Sequence, residues 1–193
     1  MNIPSHKELL RIINSKSSFV TIVKGHQCIV EILNRVIIEA LPFSHKIEIE
    51  RLSFKFRVDL AIALGVFNSN TRNAILDINS IRNRFAHDYR ARLNAKETKT
   101  LLSSMPQNMK SYIMKREGGK PMPQSIIKGA MVLIYINLES SLENLRTGKI
   151  RAQVLNEMAE EELKKAWQGR EDKLEASAAK IDEEVNKRIK KLR

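Results

Sequence analysis

With 193 residues, of which 42% are hydrophobic, the chain can bury one core and carry an appendage, but it is short for two full domains. Gly (7) and Pro (5) are scarce, which favours helices, and the single cysteine, Cys28, excludes an internal disulfide and leaves no cysteine cluster for a metal. A formal net charge of +12 points to an anionic partner, most simply nucleic acid.

The first residues are followed by no long apolar stretch, so no secretory signal is expected. The longest uninterrupted apolar run, Ala130–Ile136, is too short to span a bilayer. A soluble, cytoplasmic protein with no membrane partner is the expectation.

In chain order, Ser5 and Glu8 form an S-x-x-E capping box, so a first helix is expected from about residue 5. A second runs from about Ser17 to Leu41, where Pro42 stops it; Val20, Val23, Val30, Leu33, Val36, Ile37 and Ala40 recur at helical spacing. Within it, Cys28 reads as a small core residue and His26 as a core or edge histidine with satisfied ring nitrogens. A third helix is expected from about His45 to Leu64, in one or two pieces, ending at Gly65. Asn68, Ser69 and Asn70 are suitable N-caps for a fourth, running to about His87.

Asn94 with Glu97 starts a short helix that Pro106 ends, and another covers about Gln107–Lys115. Gly118-Gly119-Lys120-Pro121-Met122-Pro123 is a loop; it lacks the spacing and the following Ser or Thr of a phosphate loop. Gln124–Leu145 is a strongly apolar core helix. Met105, Met109 and Met114 read as core filler.

From about Arg151 the composition shifts to Ala, Glu and Lys. Trp167, Leu174, Ala178, Ile181, Val185, Ile189 and Leu192, spaced by sevens, fours and threes, mark an amphipathic helix or coiled coil, with Trp167 as a packing anchor. Residues 1–150 hold 23 Lys+Arg against 12 Asp+Glu, a net of +11, while residues 151–193 hold 11 against 10, a net of +1. The basic surplus therefore belongs to the body. Two parts are expected: a helical domain, 1–150, and a charged amphipathic tail, 151–193.

The fourth helix carries the candidate chemistry. Ala74, Ile75, Ile78, Ile81 and Phe85 form one stripe that must face the core, and Arg82 sits beside it. Asn83 and His87, four apart, share a face on the other side. Arg82 and His87 are five residues apart, about 140° around a regular helix. They converge only if the last turn unwinds, if the arginine bends round, or if a two-fold partner brings its own copy alongside. His6, His26 and His45 lie far apart, and no metal-ligand spacing is seen. An Arg-Asn pair and a His at a helix end also serve as ordinary capping groups, since the helix dipole alone favours a histidine there.

Arg82-Asn83-Arg84-Phe85-Ala86-His87 resembles the Arg-x4-His signature of the HEPN superfamily, with a polar residue after the arginine. Asp88-Tyr89 extends the likeness to the Arg-x4-His-x-Tyr of HepT-like toxins. The wider stretch RLSFKFRVDLAIALGVFNSNTRNAILDINSIRNRFAH, followed by ARLNAKETKTLLSSM, is similar to the MltR-like (mannitol operon repressor) branch. The resemblance covers roughly residues 20–105 and does not reach the tail.

It implies an all-α, HEPN-type helical bundle, here followed by the long C-terminal amphipathic helix. It also implies a metal-independent endoribonuclease acting as a homodimer, as a toxin or defence effector with an antitoxin partner. RNA supplies its own nucleophile, the ribose 2′-OH. The protein then needs a proton-transfer group, His87, and a fixed cation on the phosphate, Arg82, with Asn83 orienting the histidine or bonding the phosphate. Arg84, Arg90 and Arg92 would track the RNA backbone. Tyr89 matches the tyrosine that, in HepT-like toxins, a partner antitoxin modifies with nucleotides; a plain packed or exposed tyrosine is the simpler reading here. No cofactor or metal is called for. The alternative is a non-catalytic MltR-like transcriptional regulator that binds nucleic acid or a regulatory protein; no persuasive helix-turn-helix is present, which favours the protein.

Overall fold

The computed structural model describes residues 4–88 and 90–191, and among these the regular structure is helical, with no strand. The chain divides into two units, residues 1–146 and 147–193.

In the first unit, α1 (His6–Ile13) opens on the expected capping box: the Ser5 N–H donates to Glu8 Oε2 at 2.7 Å and the Glu8 N–H to Ser5 Oγ at 3.3 Å. Helix α2 (Ser18–Ala40) starts where Ser17 Oγ accepts the Val20 N–H and ends before Pro42. The third helix begins later than the sequence suggests. Two short 3-10 turns, Ser44–Lys46 and Ile49–Arg51, take up its expected first half, and α3 (Phe54–Ala63) starts only where Ser53 Oγ accepts the Phe56 N–H. Gly65, at φ 71°, allows the Val66 N–H to reach back to the Ala61 carbonyl and close that helix.

A 3-10 turn capped by Asn68 leads into α4 (Arg72–His87). Helices α5 (Ala95–Ser104) and α6 (Gln107–Arg116) follow, and two left-handed glycines, Gly118 and Gly119, turn the chain into α7 (Pro123–Lys191). Proline suits the first turn of α7, where no backbone donor is needed.

Helix α2 packs against α1, α3 and α4, and α4 in turn against α5. The stripe expected on α4 is buried: Ala74, Ile78 and Phe85 are 0% exposed. It meets Ile29, Ile32, Leu33, Val36 and Ile37 of α2 in one core with Ile127, Ala130, Met131 and Ile134 of α7. The Tyr135 hydroxyl, buried in that core, donates to the Pro4 carbonyl. Met105 and Met109 fill the core as expected, and Cys28 is buried with its thiol pushed up to about 11 by desolvation. By length and composition α7 is apolar enough to cross a membrane, and 44% of its most apolar stretch is buried.

The second unit consists of the part of α7 from Thr147 onward, with no break at Gly148. Trp167 does not anchor it by packing: the residue is 63% exposed. Val185, Ile189 and Leu192 lie outside the residues whose side chains are described.

Candidate functional site: a cationic cleft on α2, α3 and α4

The helix that carries the motif stays regular through His87; its cap, Asp88, donates its N–H to the Arg84 carbonyl. The last turn therefore does not unwind, and five residues of regular helix keep Arg82 and His87 on different faces. His87 is exposed at the C-terminal end. Arg82 is half-buried, and its Nη1 donates to Asn83 Oδ1 at 3.1 Å. That bond occupies the carboxamide oxygen and leaves the Asn83 NH2 group as a donor.

Arg82 and Asn83 line an open cleft of about 440 Å³ between α2, the start of α3 and α4. Its wall also includes His26, Gln27, Lys55, Arg57 and Asn79, so three cationic side chains and no carboxylate face it. His87 is not part of the wall.

His26 was not expected here. It sits on the buried stripe of α2 and is 4% exposed, with its ring 4.8 Å from that of Phe54. Its Nε2 is buried and lacks a partner, so the expectation of a satisfied core histidine fails for that nitrogen. Desolvation lowers its pKa to about 4; Arg82 and, less, Arg57 push the same way, while a side-chain hydrogen bond with Asn79 favours the protonated form. The ring is thus neutral near neutral pH, within the fields of two guanidinium groups.

Arg57 donates from Nη1 to the buried Asn34 Oδ1 at 2.9 Å. Burial pushes its guanidinium below the usual arginine value, with Glu50 acting the other way. Its Nε, like that of Arg82, is buried without a partner. Three of the four such nitrogens among the described residues, those of His26, Arg57 and Arg82, therefore belong to this one cleft.

The three arginines expected to track RNA divide. Arg84 is committed to the fold: Nε and Nη2 pair with both carboxylate oxygens of Glu97 at 2.8 and 2.6 Å, Nη2 also reaches the Arg92 carbonyl at 2.9 Å, and the guanidinium lies 5.0 Å from the Phe85 ring. It is a clamp between α4 and α5 and not a loose phosphate contact; Glu97, expected with Asn94 to start α5, pairs with it. Both side chains are about one-third exposed, so solvent screens the pair, and Glu97→Ala should lower unfolding stability by about 1 kcal/mol in a denaturant titration. No change would show the clamp to be ornamental. Arg90 and Arg92 are exposed just past the helix end, where Asp88 Oδ1 accepts the Arg90 N–H. Tyr89 lies outside the described residues.

No group of three or more His, Cys, Asp or Glu side chains placed to hold a metal ion occurs among the described residues. No protein-family model, curated protein or solved structure matches this chain.

Proposed function

We propose that the chain is a HEPN-type, metal-independent endoribonuclease that acts as a cytoplasmic homodimer, in the manner of a toxin or defence effector. One observation carries the reading: the Arg82–Asn83 pair of the motif opens onto a cleft lined by three cations and no carboxylate. Such a wall favours a phosphate backbone, and charge developing on a phosphate in the transition state would meet fixed donors there. The 2′-oxygen attacks the adjacent phosphorus while His87 removes its proton. The bond to the 5′-oxygen breaks, that oxygen takes a proton from solvent water as it leaves, and the protonated His87 returns its proton to the hydroxide so formed.

Helix geometry supports the homodimer. His87 lies outside the cleft that its own Arg82 lines, and in a two-fold dimer the histidine serving that cleft would come from the second copy. The same exposure of His87 favours the second reading, an MltR-like regulator that binds a nucleic acid or a protein partner without turning it over.

Incubating single-stranded RNA with the purified chain in EDTA separates the two. The nuclease reading expects shortened RNA. Intact RNA that stays bound, with binding unchanged in His87→Ala, would replace it with the regulator.

A further inference from the structure

We propose that the cleft between α2, α3 and α4 is a phosphate site in which His26, Arg57 and Arg82 are the inner residues and Lys55 the outer one. The proposal rests on the nuclease reading only in taking the phosphate to belong to an RNA strand. None of His26, Lys55 or Arg57 lies in the Arg82–His87 motif, so the site reaches well beyond it.

Four observations meet in this place. The first is the concentration of unpartnered buried nitrogens. A buried donor left without a partner costs free energy, so finding His26, Arg57 and Arg82 in one wall points to a ligand that satisfies all three. The second is charge: Lys55 and Arg57 from α3 and Arg82 from α4 face the cleft, and no acid does. An opposing influence, Glu50, acts on Arg57 from the preceding 3-10 turn.

The third is backbone. Ser53, Phe54 and Lys55 are all in the wall, so α3 presents its N-terminus there. Ser53 Oγ takes the Phe56 N–H and the Ser53 carbonyl takes the Arg57 N–H, leaving the Phe54 and Lys55 N–H groups without an intrahelical acceptor. Those donors and the positive end of the helix dipole suit an anion. The fourth is the state of His26. A neutral imidazole, unlike a third buried cation, is stable among these arginines when the cleft is empty. When an anion enters, the ring donates from Nε2 or takes up a proton to do so. In the second case the site gains positive charge in response to its ligand.

A phosphate group is the chemistry this arrangement fits: several oxygen acceptors, each able to meet an N–H, around a net negative charge. The source is either a phosphate within a strand or a free phosphate ion.

The test follows the His26 ring by nitrogen-detected NMR in His87→Ala protein, which keeps added RNA intact; His26→Gln assigns the signal. The expected result is that a short RNA oligonucleotide shifts the Nε2 resonance and raises the titration midpoint of the ring. The apparent affinity should weaken at least about tenfold in Arg82→Gln and in Lys55→Ala, the latter an exposed substitution that leaves folding alone. RNA acting where inorganic phosphate does not assigns the site to a strand. Inorganic phosphate acting alone assigns it to the free ion, and either upholds a phosphate site. A His26 signal that ignores both, in protein that is folded by circular dichroism, overturns it. Cleavage by the wild type plays no part in the readout, so failure of the nuclease reading and failure of this site are told apart.

Discussion

His87→Ala is expected to reduce RNA cleavage in EDTA by about 10²–10⁴-fold, the range over which a positioned general acid or base accelerates reactions. The thermal melt should not move, because the side chain is exposed at the end of α4 and supports nothing in the core. Arg82→Ala should cost about 10²–10³-fold, as when one preorganised donor to a developing oxyanion is removed. It also frees Asn83 Oδ1 from the Arg82 Nη1 bond, so its effect combines lost charge with lost orientation. Initial rates on a single-stranded substrate, measured beside melting curves, check both. Either variant retaining near wild-type rates would take that residue out of the chemistry.

His26 should make the fold sensitive to mild acid. Its pKa is about 4 in the folded chain against the ordinary histidine value of 6.5. Between those values the unfolded chain binds a proton that the folded chain refuses. Folding stability is therefore highest above pH 6.5, falls as the pH drops from 6.5 towards 4, and gains no further loss from this group below that. A depression of this size corresponds to about 3 kcal/mol over the full window. Denaturant titrations at intervals across it should show the loss, and His26→Gln should remove most of the slope while retaining a neutral polar group. Equal slopes in both proteins would mean that the histidine is not buried in its neutral form.

Local features of this fold were legible because they depend on neighbours in sequence. Ser5 with Glu8, Ser17 before α2 and the glycine pair before α7 each act within a few residues of themselves. The stripe Ala74–Ile75–Ile78–Ile81–Phe85 was legible for the same reason, since period alone assigns it to the core. The cleft was not, because His26, Lys55, Arg57 and Arg82 come from three helices and share a wall only through tertiary packing. One trace was present in the chain: His26 sits on the stripe of Ile22, Ile29 and Leu33, where a polar residue in a buried face asks for an explanation. Arg84 misled in the opposite direction. Read beside Arg82 it looks like another phosphate contact, and only the approach of α5 turns it towards Glu97. The late start of α3 turned on Ser53, whose capping hydroxyl outweighs the helical period of the residues before it.

The central claim, that Arg82 of one copy works with His87 of another, is tested most directly by mixing. Arg82→Ala and His87→Ala protein, each inactive alone, are combined in equal amounts, allowed to exchange subunits and assayed on RNA in EDTA. In a mixed dimer one composite site carries both substitutions and the other carries none, so random exchange should restore about a quarter of wild-type activity. A mixture as inactive as its parts, with exchange verified, would contradict a site shared between two copies.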